Sequence, residues 1–146
     1  MVSSIFYADC CSTAVAKVED ALDLERLAVG DSLHMHLRTE LEANNVLYAS
    51  HAKCIYDFNR ESSVHSKIKN APNTSKARYI TEDVPYLFVP FCELADLCGV
   101  DVPIAKALVT IASYYNDENY MKTGRTLAKM GFNHWTKQEI LEFLEA

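Results

Sequence analysis

Helix breakers are scarce in this sequence, and their placement constrains the fold more than any other feature. Only four glycines and four prolines occur in 146 residues, and no proline precedes Pro72. Glycine costs a helix interior about 1 kcal/mol and proline about 3 kcal/mol, so the long stretches free of both read as helix. Ser12 or Thr13 caps the first, which brings Val15, Val18, Leu22, Val29 and Leu33 near one stripe. Its other face carries Lys17, Glu19, Asp20, Asp23 and Arg26, a solvated side. Gly30 marks a weak or closely packed point within it. A second helix is expected over Thr39 to Tyr48, with Leu41, Val46 and Leu47 inward, and a short third over His51 to Phe58.

Asn59 to Lys76 turns polar and ends in Asn70-Ala71-Pro72-Asn73-Thr74-Ser75, so it reads as the longest loop, with one helical turn at Val64 to Ile68. Thr81-Glu82-Asp83 then opens a helix, a Thr cap followed by two acids where the macrodipole favours them. Pro85 is tolerated near such a start, whereas Pro90 implies a break or kink. A helix over Phe91 to Cys98 stops at Gly99. Pro103 starts another, with Ile104, Leu108, Ile111 and Tyr115 on one stripe. Gly124 begins a short segment, Arg125 to Met130, that Gly131 closes. Thr136 and Glu139 have the spacing of a capping box, ahead of a last helix using Ile140, Phe143 and Leu144. The expectation is one all-α domain over residues 1–146, with six to eight helices.

Composition removes several function classes. The net charge is −6 and the basic residues are dispersed, whereas nucleic-acid binding calls for a basic face that displaces counterions. No apolar run approaches the ~20 residues of a membrane span, and Met1 to Tyr7 lacks the basic and apolar regions of a signal peptide. A soluble, cytoplasmic protein is expected. The five cysteines, Cys10 and Cys11 adjacent, follow no C-x-x-C spacing and read as reduced, mostly buried thiols. His34 and His36 are two apart and would face different ways on a helix, so no metal site is expected.

Two places could carry chemistry. Arg78, Glu82 and Asp83 gather where a helix is expected to begin, so backbone N–H groups and a guanidinium could receive a carboxylate. The plainer alternative is that the two acids cap the helix and Arg78 makes a weak surface pair. Gly124-Arg125-Thr126 sets a basic residue between a glycine and a hydroxyl, with a solvated helix start as its plainer alternative. No G-x-G-x-x-G, Walker loop, G-x-S-x-G or H-E-x-x-H is present. These residues thus offer no dinucleotide cradle and no complete catalytic motif.

Several segments nonetheless resemble one family. Arg78-Tyr79-Ile80-Thr81-Glu82-Asp83-Val84-Pro85 is similar to the R-Y-x-x-E-D-V-P stretch in the C-terminal all-helical domain of octopine/nopaline (opine) dehydrogenases. The likeness continues through Val89-Pro90, Leu94 to Val100 and Pro103, and through Gly124-Arg125-Thr126-Leu127 to Lys129-Met130-Gly131. Upstream, Asp23-Leu24-Glu25-Arg26-Leu27-Ala28 resembles the family's D-x-E-R-x-A helix. Four motifs in order span residues 5 to 146.

The resemblance implies a multi-helix domain similar to the C-terminal domain of 6-phosphogluconate dehydrogenase-like enzymes. It implies an NAD- or NADP-dependent reductive condensation of an amino acid with a 2-oxo acid. It also implies an N-terminal Rossmann domain and a first family helix outside this chain, a homodimer, and no activity or cofactor binding by the chain alone. By motif, Asp83 would orient and stabilise a protonated catalytic histidine, Arg78 would hold carboxylate, and Glu82 and Arg125 would join the substrate site. That histidine is expected ahead of Met1, since none of His34, His36, His51, His65 or His134 precedes a proline. Leu87 stands where the family usually has glycine, which bears on substrate choice. The alternative is a free-standing, non-catalytic helical module that binds or oligomerises through an apolar strip.

Overall fold

The computed structural model describes residues 6–64, 67, 68 and 71–145. Among them are nine α-helices and one π-helical turn, and no strand. The chain forms two compact units, one of residues 1–27 and 37–73, the other of residues 28–36 and 74–146.

The first unit holds α1 (Phe6–Cys10), most of α2 (Thr13–Ser32), α3 (Glu40–Leu47) and α4 (Ile55–Glu61). Ser12 opens α2 as expected, its Oγ accepting the Val15 N–H at 3.2 Å. Cys11, Ala16, Ile55 and Phe58 form the core, with Leu41, Tyr48, Ala52 and Tyr56 packed against it. The D-x-E-R sequence proves to be a structural staple. Asp23 pairs with Arg26 at 2.6 Å and also accepts the Glu40 N–H at 2.8 Å, while Arg26 donates to the Arg38 carbonyl at 2.7 Å. Thr39 and Glu42 close a capping box at the start of α3.

Three expectations fail in this unit. Val15 and Val18, expected on the inward stripe of α2, are exposed. Val46 and Leu47 are exposed, because α3 turns Asn45 inward instead. The Asn45 side chain binds both the N–H and the carbonyl of Ala52 and accepts from Ser50 Oγ. Asn59, Arg60 and Glu61 belong to α4 and not to the polar loop. Asn59 is buried because a polar partner, Glu19, meets its amide at 3.0 Å. The helical turn expected over Val64 to Ile68 includes residues outside the described ones.

The second unit contains α5 (Arg78–Thr81), the π turn (Val84–Phe88), α6 (Val89–Cys98), α7 (Pro103–Asn116), α8 (Tyr120–Thr123) and α9 (Lys137–Glu145). Val84, Pro85, Val89, Cys92 and Ala95 are buried along the π turn and α6, and α7 packs on both. Gly99, at φ 71°, ends α6 in the left-handed conformation that favours glycine. The inward stripe of α7 differs from the expected one. Ala105, Val109, Ala112 and Asn116 are buried, while Ile111 and Tyr115 face out. Two alanines in that stripe let the helix lie close against the bulged π turn, which the larger Ile111 and Tyr115 would hold off. In the last segment Thr136 and Glu139 form the expected capping box, and Phe143, though half-exposed, packs edge-on against Phe132 and Trp135.

Of the five cysteines, only Cys11 and Cys92 are buried, and all are free thiols. No group of three potential metal ligands occurs among the described residues. No helix among them is long and apolar enough to cross a membrane.

Candidate substrate-side site

The helix expected to start at Thr81 starts earlier. Ala77 precedes α5, and Thr81 lies in its last turn with its hydroxyl directed back to the Ala77 carbonyl at 3.4 Å. Glu82 and Asp83 therefore sit at a helical junction and not at a free N-terminus. The Glu82 N–H is bonded to the Arg78 carbonyl at 2.8 Å, and Tyr86 N–H returns to the Glu82 carbonyl at 3.0 Å. Those amides are already used, so an anion here would be met by side chains.

Arg78, Tyr79, Glu82 and Asp83 together line a depression of about 340 Å³. Arg78 reaches Glu82 Oε2 through Nε at 3.2 Å and through Nη2 at 3.1 Å, one helical turn on. Both side chains are largely exposed, so the pair adds little stability and its guanidinium can be redirected to a ligand carboxylate at small cost. Asp83 is half-buried, and no hydrogen bond or ion pair to its carboxylate is found among the described residues. A carboxylate in that position can accept from an incoming imidazole.

The approach to α5 is fixed from α7. Asn116, 2% exposed, donates Nδ2 to the Ser75 carbonyl and to Tyr120 Oη, both at 3.0 Å. Its own carbonyl accepts from Lys76 Nζ at 2.7 Å. Asn116 Oδ1 is buried without a partner, which costs stability. In the sequence this residue is only an amide at a helix end.

The π turn explains why the two candidate segments come together. Val89 N–H bonds to the Val84 carbonyl, five residues back. Continued in that register, the Pro85 carbonyl would need an N–H from residue 90, and Pro90 has none. The Arg125 N–H fills the gap at 2.8 Å. Gly124 permits this approach: a Cβ there would lie 2.6 Å from the Tyr120 carbonyl oxygen and 2.8 Å from that of Pro85. Its φ of −65° is open to any residue, so glycine is required by space alone. The Arg125 amide is thereby fixed two residues from Asp83, and its side chain is exposed. Tyr86 and Leu87, on the π turn between them, are also exposed.

A family model described as NAD/NADP octopine/nopaline dehydrogenase, alpha-helical domain, matches residues 2–116. Protein ocs of Agrobacterium vitis is 34% identical over 125 residues, 86% of this chain and 34% of that protein. Vitopine synthase of Allorhizobium ampelinum is 29% identical over 139 residues, 95% of this chain and 38% of its own length. An opine dehydrogenase of Arthrobacter is 26% identical over 140 residues, 39% of its length. A solved octopine dehydrogenase superposes with a TM-score of 0.80 at 18% identity, over 95% of this chain and 41% of that one, a likeness of fold. The chain thus spans between a third and two fifths of the length of these relatives. The family resemblance read from the motifs and the all-helical class both hold.

Proposed function

Because the chain belongs to the NAD/NADP octopine/nopaline dehydrogenase family, as its alpha-helical domain, we propose that it is the substrate-side part of an opine-forming oxidoreductase. The reaction is the condensation of an amino acid's amine with a 2-oxo acid, loss of water, and reduction of the resulting imine to a secondary amine. The observation that carries this reading is the half-buried, unpartnered Asp83 beside the redirectable Arg78 and Glu82 in one depression.

NADH or NADPH supplies the hydride. The described residues of this chain form no strand–turn–helix phosphate cradle, so the nucleotide belongs to the N-terminal Rossmann part of the family's architecture. Asp83 holds an imidazole from that side in one tautomer and stabilises it once protonated. Arg78 takes a substrate carboxylate in a two-pronged grip, releasing Glu82, which is then free to accept from the substrate's amino group. Arg125 presents a second cation to the same region. Leu87 projects where the family usually has only a hydrogen, and it narrows the substrate range.

A homodimer forms through the outward face of α7 and its neighbour, where Ile111, Tyr114 and Met121 are exposed, Tyr114 at 81%. Exposed apolar strips of this kind mark partner surfaces, and a non-catalytic assembly module would use the same face.

The test is a chimera in which this chain replaces the matching 140 residues of the Arthrobacter enzyme. With NADH or NADPH, a 2-oxo acid panel and an amino acid panel, the chimera turns over and the isolated chain does not. Asp83→Asn lowers chimera turnover by roughly 10³–10⁴-fold, as loss of the correct imidazole tautomer does elsewhere. A folded chimera whose turnover is indifferent to Asp83→Asn overturns the reading.

A further inference from the structure

We propose that the cavity walled by α4 and the loop after α3 binds an organic diammonium ion. The site lies in the first unit, uses none of the residues invoked above, and does not depend on that reading.

The cavity holds about 340 Å³, enough for a small ligand. Tyr48 and Phe58 line it, their ring centroids 5.6 Å apart. Residues 49–52 form one wall, and Asn45 of α3 pins that wall in place. Its Oδ1 accepts from Ser50 Oγ at 2.6 Å and from the Ala52 N–H at 3.0 Å, and its Nδ2 donates to the Ala52 carbonyl at 2.9 Å. The space is therefore shaped before any ligand arrives, which cuts the ordering cost of binding.

Asp57 and Glu61 supply the charge. They stand one turn apart on one face of α4, and both line the cavity. Like charges at this spacing repel, and Glu61 ends the helix, where the macrodipole also disfavours an acid. Among the described residues neither carboxylate has a hydrogen-bond or ion-pair partner, and no Lys or Arg lines the cavity. The adjacent Arg60 is committed elsewhere: it bonds the Ala8 carbonyl, and its guanidinium lies 5.4 Å from the centre of the Tyr56 ring. Two unneutralised charges are thus held side by side next to a pair of aromatic rings.

The partner that fits is an extended cation. No three potential metal ligands converge among the described residues, so a bare metal ion is poorly served. Two ammonium groups joined by a short hydrocarbon chain meet both carboxylates at once. The chain lies against Tyr48 and Phe58, and the Tyr48 ring adds a cation–π contribution.

The test titrates the full 146-residue chain with 1,4-diaminobutane and follows the ring resonances of Tyr48 and Phe58. Both shift along one saturable curve, and 1-aminobutane, with a single ammonium, binds several-fold more weakly. Asp57→Asn combined with Glu61→Gln weakens binding by about tenfold or more. His51→Lys does the same, since it sets a cation at the exposed edge of the cavity and leaves α4 untouched. Neither change removes a core side chain, so both variants keep the parental circular dichroism. Absence of a saturable shift overturns the proposal, and so does parental affinity in either variant. Equal shifts with magnesium chloride at matched ionic strength mark diffuse counterion attraction and overturn it too. Equal affinity for 1-aminobutane overturns the diammonium assignment.

Discussion

Asn59 donates its side-chain amide to Glu19 Oε2 across 3.0 Å, joining two helices 40 residues apart in sequence. The same amide lies 3.5 Å from Cys11 Sγ. A carboxyl group thus stands beside the apolar core of the first unit with an amide and a thiol for company.

Burial pushes the Glu19 carboxyl above the ordinary carboxylate range, and the negative charge of Asp20 adds to it, against the lowering effect of the Asn59 bond. The folded state therefore keeps this proton to higher pH than the unfolded chain does. Stability from the protonated group is present below the ordinary glutamate pKa and is lost as pH rises through the raised one. Glu19→Gln keeps an acceptor for Asn59 and removes the charge. The expected result is equal stability of variant and parent in acid, with the variant ahead at neutral pH. Denaturant titrations at several pH values check it, and a gap that stays constant with pH would rule the assignment out.

Gly124→Ala should loosen the joint at the π turn. The added methyl meets two backbone carbonyl oxygens below 3.0 Å, and backbone cannot step aside as a flexible side chain can. Overpacking of this kind costs about 1–3 kcal/mol. Loss of the Arg125 bond to Pro85 should also speed hydrogen exchange at the Arg125 amide. A variant with parental denaturation midpoint and parental exchange would contradict the packing described.

Trp135, the single tryptophan, reports on the last segment. Its ring lies 4.9 Å from Phe132 and 5.6 Å from Phe143, both edge-on. Edge-on pairs contribute roughly 0.5–1.5 kcal/mol each, so Phe143→Ala, which removes two, should cost about 1–3 kcal/mol. The change should red-shift tryptophan emission and detach α9 before the rest of the unit melts. Coincident unfolding by fluorescence and circular dichroism would show that α9 does not detach first.

At the caps the spacing rule sufficed. Thr136 and Glu139 bond each other's backbone amides as their separation implied, which holds the Glu139 carboxyl below its usual range. Substituting Thr136 by Ala should lower the helicity of α9 and raise the Glu139 pKa towards the ordinary value, visible by NMR titration. The bonded carboxylate favours the fold above the ordinary pKa, and that contribution fades as pH falls through the depressed one.

Sequence patterning located most helices and the family's motifs, because scarce breakers and capping residues act locally. It misplaced what depends on neighbours. Ile111 and Tyr115 looked like the core stripe of α7, yet Ala105 and Ala112 take that place, since small residues win where another backbone comes close. Thr81 looked like a cap, yet a turn of helix from Arg78 already precedes it. The site residues Arg78, Glu82 and Asp83 were visible as a charged cluster. Asn116 was not, because a side chain that holds another segment's backbone leaves no periodic trace of its own.

The π turn carries one residue more than an α-helix would use over the same length, and such bulges recur at functional sites. Each inserted residue rotates everything before it by about 100° relative to everything after. Arg78, Glu82 and Asp83 are therefore out of phase with the inward face of α6. Changes that repack α6 need not re-aim the charged cluster, and the cluster can diverge without touching the core. Removing one residue from Val84–Phe88 would undo that independence in a single step.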